Sequence, residues 1–164
     1  MECFKTELFP ETEIFVGLFT NISNSSALKA VLKDLQCSFL DPRLVLSNDH
    51  LILAVTRALQ ARKMGVSKTN SLFLDVVYYL SATSNIKETL TRYGISEKSE
   101  EIILLAFDSQ VFDEVQGQIR GNFVSWDERK NMIDVKKIAQ GFKLSEKSQN
   151  FHELVLTRVA IKDI

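Results

Sequence analysis

The sequence predicts an α+β (mixed α/β) fold: a single domain over residues 1–164 with a small, mostly antiparallel sheet packed with several helices. Short β-branched and aromatic runs stand at the start, in the middle and in the later part of the chain. Segments with apolar residues at helical spacing separate them. Hydrophobic residues make up 45% and charged residues 25%, which is typical of a globular domain that closes its own core.

The first part of the chain predicts two strands and a helix. Phe4–Phe9 and Ile14–Phe19 have strand composition, with a turn expected at Pro10–Glu11. Asn24 or Ser25 is the expected N-cap of the helix, because both side chains can accept backbone N–H bonds. The apolar face of this helix is formed by Leu28, Val31, Leu32 and Leu35.

The middle of the chain predicts an extended piece and then the strongest helix. Leu44–Leu46 follows Pro42 and is expected to be extended, since the chain before a proline avoids the helical region. Ser47 or Asn48 caps the next helix, and Gly65 supplies the left-handed residue that ends it. Its apolar stripe consists of Leu51, Ile52, Val55 and Leu59.

The segment after this helix is apolar nearly all round, so its periodicity fits a buried helix or a strand. The polar residues that precede Leu72–Leu80 favour a helix there. Asn85 with Glu88 three residues later resembles a capping box, and Gly94 ends the short helix that it opens.

The last third predicts strands and helices in alternation. Ile102–Phe107 is a continuous apolar run that indicates a buried central strand. Asn122–Trp126 indicates another strand. Helical spacing continues from Val111 to Ile119, over Asp134–Gln140, and in a terminal helix marked by Phe151, Leu154, Val155 and Val159.

The residue types of common active sites do not gather in this sequence. His50 and His152 have no neighbouring Cys or His, so both are expected at the surface and no metal site is predicted. Cys3 and Cys37 are expected to be reduced. No serine-nucleophile elbow or glycine-rich phosphate loop is present, so neither an enzyme nor a cofactor is indicated.

Positive charge is concentrated in one segment, although the net charge is only −1. Between Leu51 and Leu74 there are four bases and no acid: Arg57, Arg62, Lys63 and Lys68. From the residues alone, cations that complement a helix C-terminus are the favoured interpretation. The alternative is a phosphate clamp, in which Thr69 and Asn70 add hydrogen bonds beside Lys68.

An ordered series of motifs resembles the PRPK-binding protein family, the small regulatory subunits of the KEOPS complex. The most characteristic stretch is KTNSLFLDVVYYLSATSNIKETLTRYGI, from Lys68 to Ile95. Similar segments are LFPE (Leu8–Glu11), DPRLVLSNDH (Asp41–His50), VKKIAQGFKLS (Val135–Ser145) and RVAIKDI (Arg158–Ile164).

The resemblance implies a non-catalytic KEOPS/EKC subunit without a cofactor. Such a subunit binds and stimulates the small atypical kinase/ATPase and contacts other KEOPS subunits through it. It helps to present tRNA, through contacts that include the 3′ CCA end, for threonylcarbamoyladenosine modification next to the anticodon. A cytoplasmic and nuclear location follows, and a eukaryotic origin would add a telomere-linked role.

On this hypothesis an apolar helical face binds the kinase, and the basic segment Arg57–Asn70 binds tRNA. The expected RNA-binding residues are Arg57, Arg62, Lys63, Lys68, Thr69 and Asn70. The expected kinase-binding residues are Leu72, Val76, Val135 and Ile138. Two alternatives stay open: a free-standing tRNA-binding adaptor, and a small uncharacterised enzyme.

Overall fold

The computed structural model describes every residue from Met1 to Ile164 and contains two compact units. The first unit consists of Met1–Pro42 and Gly94–Met132, and the second of Arg43–Tyr93 and Ile133–Ile164. The α+β prediction is confirmed, because helices accompany one five-stranded antiparallel sheet. A single domain over residues 1–164 stays a prediction.

The sheet lies in the first unit, and all of its pairings are antiparallel. Four strands follow the order β1-β2-β4-β3, and β5 pairs with β2. The strands are β1 (Glu2–Lys5), β2 (Glu13–Thr20), β3 (Ser38–Leu40), β4 (Ile102–Ala106) and β5 (Asn122–Val124).

Seven α-helices and three 3₁₀ turns complete the fold. The helices are α1 (Ser25–Val31), α2 (Asn48–Lys63), α3 (Leu72–Tyr79), α4 (Ile86–Tyr93), α5 (Ser109–Gln116), α6 (Val135–Phe142) and α7 (Phe151–Ile161). The 3₁₀ turns are Leu32–Asp34, Pro42–Leu44 and Trp126–Asn131. None of the helices combines the length and apolar character that a bilayer crossing requires.

The buried central strand is confirmed, since all five residues of β4 are inaccessible to solvent. The first strand is shorter than predicted. It ends at Lys5, because the Thr6 hydroxyl accepts a hydrogen bond from the Phe9 N–H at 2.9 Å. The expected turn follows and is closed by a hydrogen bond of 3.0 Å from the Thr12 N–H to the Phe9 carbonyl. β3 was not predicted, because three residues are too few to show a period.

Two other local predictions were wrong in detail. Pro42 starts a 3₁₀ turn over Pro42–Leu44 instead of preceding an extended piece, since the fixed φ of proline also suits the first turn of a helix. Asn24 occupies the N-cap position of α1, but its side chain bonds the Gln118 carbonyl and the Arg120 N–H instead of the helix.

An aromatic and aliphatic cluster between β-sheet and helices forms the core of the first unit. Its largest fully buried members include Phe19, Phe39 and Phe112. Gly17 in β2 permits close packing there, because a Cβ atom at this position would lie 2.7 Å from the Phe112 ring. A side chain at Gly17 would therefore push this core apart.

The second unit is built around α2, which packs against α3 and α7. Leu51 and Val55 are buried as predicted, whereas Ile52 and Leu59 are only half-buried. Much of the buried face consists of Ala54, Ala58 and Ala61, whose small side chains let the neighbouring helices approach closely. The Ser47 cap and the left-handed Gly65 (φ 73°) are both confirmed.

Candidate functional site

The predicted basic segment extends from the second half of α2 through the loop that leads into α3. The sequence folds this way because α2 ends at Lys63 and Gly65 then turns the chain in the left-handed conformation. Lys63, Lys68 and Asn70 are exposed, and their side chains lie at the surface of the second unit. The Arg62 side chain is 38% exposed, against 40% for Lys68, but its guanidinium pairs with a buried carboxylate. Arg57 and Thr69 are half-buried and bond to internal groups.

Asp75 is the centre of this segment, although the sequence analysis did not single it out. Its carboxylate is fully buried in the first turn of α3 and accepts a hydrogen bond from the Arg62 guanidinium at 2.8 Å. The Thr69 backbone N–H and hydroxyl approach the same carboxylate at 2.9 and 2.8 Å. Because a buried carboxylate needs paired oxygens, Arg62 and Thr69 stabilise the fold of the loop.

Arg57 is likewise turned towards the protein interior. Its guanidinium donates to the Lys162 carbonyl and lies over the Tyr79 ring, 5.2 Å from the ring centroid. Its Nε atom is buried without a hydrogen-bond partner. Arg57 therefore ties α2 to the residue that follows α7, and its contact with phosphate stays a prediction that this geometry does not favour.

Two consecutive charged residues that follow α7, Lys162 and Asp163, form hydrogen bonds to residues in and after α3. The buried Lys162 ammonium donates to the Tyr78 carbonyl and to the Ser81 hydroxyl, and it lies 3.5 Å from the centroid of the Tyr78 ring. The Asp163 carboxylate accepts from the Tyr78 hydroxyl at 2.6 Å and lies 3.9 Å from the Lys68 ammonium. Both residues thus contact Tyr78 in α3, and Asp163 also contacts Lys68 in the predicted basic segment.

Burial dominates the electrostatics of Lys162. Loss of hydration lowers the pKa of its ammonium to about 7, while Asp163 opposes the change and Arg57 and Lys68 reinforce it. Burial also raises the pKa of the Tyr93 hydroxyl to about 12 and that of the Cys37 thiol to about 12. The Tyr93 hydroxyl and the Cys37 thiol are therefore uncharged near neutral pH.

The predicted kinase-binding residues divide into two classes. Leu72 is half-buried in the first turn of α3, and Val135 at the start of α6 is 37% exposed. Val76 and Ile138 have no accessible surface, so they are core residues of the second unit and cannot touch a partner in this conformation. The sequence predicted that these four residues lie in or at the start of helices, but it could not tell which of them the fold covers.

The histidines do not occupy the surface positions that were predicted for both. His50 is fully buried: its Nδ1 accepts from the Leu46 N–H at 3.1 Å, and its Nε2 lies 2.9 Å from the Leu80 carbonyl. This pattern fits the neutral Nε2–H tautomer. His152 is half-buried, and its Nε2 lies 2.7 Å from the Ser47 hydroxyl that caps α2. Both imidazoles therefore form contacts that stabilise the N-terminus of α2.

Sequence reasoning missed a second group of bases, in and after α6. Their side chains are exposed, and none of them forms an ion pair: Lys136, Lys137, Lys143 and Lys147. An open groove of about 650 Å³ lies beside three of these lysines. The sequence did contain a signal for this group, because residues 136–147 include four lysines and only one acid, Glu146.

No group of three or more His, Cys, Asp or Glu side chains is placed to hold a metal ion. In the second unit, the buried Asp75 carboxylate bonds to Arg62, and the buried Lys162 ammonium bonds to Ser81. A few large apolar side chains are exposed, among them Met64 at 75% and Val66 at 54% exposure.

Comparison with known proteins gives consistent similarities. The model of the family described as kinase binding protein CGI-121 matches residues 19–163. A zebrafish (Danio rerio) protein named EKC/KEOPS complex subunit TPRKB is 28% identical over 167 residues, which cover 96% of this chain and 95% of the relative.

Two fungal proteins show similar levels of identity. The EKC/KEOPS complex subunit CGI121 of Eremothecium gossypii is 30% identical over 149 residues, which cover 83% of this chain and 82% of the relative. The EKC/KEOPS complex subunit cgi121 of Schizosaccharomyces pombe is 26% identical over 167 residues, with coverage of 94% and 96%. The similarity therefore covers between 83% and 96% of this chain in these three relatives.

Proposed function

Because this chain belongs to the CGI-121 family of kinase binding proteins, we propose that it is a non-catalytic subunit of an EKC/KEOPS complex. It binds and stimulates the small atypical kinase/ATPase subunit and reaches the other subunits through it. The match of the family model over residues 19–163 carries this proposal, because it covers residues of both structural units. The protein works in the cytoplasm and the nucleus.

The finer part of the proposal is that this subunit helps to present tRNA for threonylcarbamoyladenosine modification. The exposed cations Lys63 and Lys68, with the Asn70 amide beside them, support a contact with phosphate at the loop before α3. The loop is held in shape by Asp75, so its cations are presented without the cost of ordering a mobile segment. The single-stranded 3′ CCA end is the proposed ligand.

Co-expression with the KEOPS kinase subunit, followed by size-exclusion chromatography with and without tRNA, tests the central claim. We expect a stable 1:1 complex, and addition of tRNA should move it to a larger species. Separate elution of this protein and a folded kinase would contradict the subunit assignment. If the isolated protein then still bound tRNA, a free-standing tRNA-binding adaptor would replace it.

Double replacement of Lys63 and Lys68 by alanine tests the RNA contact. Each phosphate neutralised on a single strand contributes about −0.7 to the slope of log K against log[salt]. Losing two such contacts should therefore flatten the slope by about 1.4. Affinity for a CCA-ended oligonucleotide, measured by fluorescence anisotropy between low and moderate salt, provides the readout.

The matched control is the double variant Lys29→Ala/Lys33→Ala, which removes the same charge from exposed positions in the other unit. It should leave the slope unchanged. Arg62→Ala is unsuitable here, because it would leave the Asp75 carboxylate buried without its ion-pair partner and disturb the loop itself. An unchanged slope in the Lys63/Lys68 variant would remove these lysines from the RNA surface.

A further inference from the structure

We propose that Asp163 is an autoinhibitory residue, whose carboxylate holds the Lys68 ammonium and thereby lowers the affinity of the loop before α3 for an RNA phosphate. The two charged groups lie 3.9 Å apart, and both residues belong to the second unit. The choice of an RNA phosphate as the competing anion rests on the proposed function, whereas the ion pair belongs to the fold itself.

Hydrogen bonds hold both oxygens of the Asp163 carboxylate. Its Oδ2 atom accepts from the Tyr78 hydroxyl at 2.6 Å, and its Oδ1 atom accepts from the Ser84 hydroxyl at 3.2 Å. The Asp163 side chain is only 15% exposed, so salt screens its charge less than that of a fully exposed carboxylate. We therefore expect the carboxylate to stay beside Lys68 when another anion approaches the loop.

The backbone around Asp163 is anchored as well. The preceding residue, Lys162, is buried, and its ammonium donates to the Tyr78 carbonyl and the Ser81 hydroxyl. The Arg57 guanidinium donates to the Lys162 carbonyl. Asp163 itself has a φ of 60°, a left-handed conformation that is uncommon for residues other than glycine. These contacts fix the position from which the Asp163 side chain extends towards Lys68.

Lys68 is the member of the pair that can move. Its side chain is 40% exposed, and a lysine carries its ammonium on a flexible four-carbon stem. A phosphate that takes the full charge of this ammonium must draw it away from Asp163. The apparent affinity is then reduced in proportion to the fraction of molecules in which Lys68 is released. For an ion pair at this exposure the reduction amounts to about fivefold at most.

The direction of the effect separates inhibition from a purely structural role. The Asp163 carboxylate links Tyr78 in α3 to Ser84 in the loop that follows α3. If this link only shaped the protein, replacing Asp163 would disturb the neighbouring loop and weaken the binding of RNA. Inhibition predicts the opposite result, a gain in affinity when the negative charge is removed.

The variant Asp163→Asn tests the proposal on the isolated full chain. Asparagine keeps the size of the side chain and an oxygen that can accept from the Tyr78 hydroxyl. Affinity for a CCA-ended oligonucleotide, measured by fluorescence anisotropy at low salt, should increase by up to about fivefold. The gain should shrink as salt is added, because screening weakens the ion pair that the variant removes.

The matched control is Glu153→Gln, which removes one negative charge from an exposed position of α7 in the same unit. It should leave the affinity nearly unchanged. A double-mutant cycle with Lys68→Ala then isolates the ion pair from any general change in charge. In the Lys68→Ala background, Asp163→Asn should give no gain in affinity.

Two results would overturn the proposal: an affinity of Asp163→Asn that is equal to or below that of the wild type, and an equal gain with and without Lys68. In both cases the loss of affinity in Lys68→Ala would persist if the RNA contact is correct. Failure of the RNA contact itself has a different signature, namely equal oligonucleotide affinities for the wild type and Lys68→Ala. The two failures are therefore distinguishable.

Discussion

Replacing Ile138 with glutamate is expected to unfold the second unit. The Ile138 side chain has no accessible surface in α6, so a carboxylate there would be buried without a partner. The penalty for an uncompensated buried charge is about 3–5 kcal/mol, against a total stability of about 5–15 kcal/mol for a typical domain. Urea denaturation followed by circular dichroism should show a much lower midpoint, and the kinase complex should be lost with the fold.

Val135→Glu is the matched comparison on the same helix. Val135 is 37% exposed, so the charge stays hydrated and the free energy of unfolding should change by no more than about 0.5 kcal/mol. If Val135 lies in the kinase interface, this variant should remain folded and yet fail to co-elute with the kinase. An intact complex would exclude Val135 from the interface, and an unchanged midpoint for Ile138→Glu would contradict the burial of Ile138.

The second large effect is a rise in stability with pH that depends on Lys162. Burial lowers the pKa of Lys162 to about 7 in the folded protein, from an ordinary value of 10.5. Between these values the unfolded chain holds a proton that the folded chain has released. The free energy of unfolding should therefore increase with pH above 7, by up to about 1.4 kcal/mol per pH unit, and this contribution is lost as the pH falls towards 7.

The informative range is pH 7 to about 9. Burial raises the pKa of the Tyr78 and Tyr79 hydroxyls and of the Cys37 thiol, and these groups lower stability at higher pH because only the unfolded chain ionises. Lys162→Met keeps much of the buried volume of the side chain. It should remove the rise in the free energy of unfolding with pH. Lys33→Met, at an exposed position, is the control.

The measurement is the denaturation midpoint of the wild type, Lys162→Met and Lys33→Met at several pH values in this range. Parallel profiles for the wild type and Lys162→Met would mean that Lys162 stays charged in the folded protein up to pH 9. In that case the Tyr78 ring and the Tyr78 carbonyl, which both contact the ammonium, would outweigh its loss of hydration.

Local signals in the sequence were sufficient for most of the elements. The Ser47 cap bonds an N–H three residues away, and the Asn85 side chain caps α4 through the Glu88 N–H at 3.0 Å. The apolar run of β4 needs no distant information, because a strand buried on both faces is apolar at every position. Motif order alone was also sufficient to identify the family that the comparisons confirm.

The candidate site was less predictable, because the role of each charge depends on groups that are distant in the sequence. Arg62 and Asp75 are 13 residues apart, and Arg57 and the Lys162 carbonyl are 105 residues apart. Neither separation carries a periodic signal, so the sequence could not distinguish these structural cations from the unpaired lysines of α6. The same holds for Ile138 and Val135, which share a helix but differ in what covers them.

The sequence by itself thus determined most of the elements, the α+β class and the family, since these depend on contacts within a few residues or on motif order. Only the tertiary structure decided which cations are free and which apolar residues are accessible. Burial and pairing are properties of the packed chain: Asp75 pairs with Arg62 and Thr69 because an unpaired carboxylate in the core is unstable, while the α6 lysines meet no such partner.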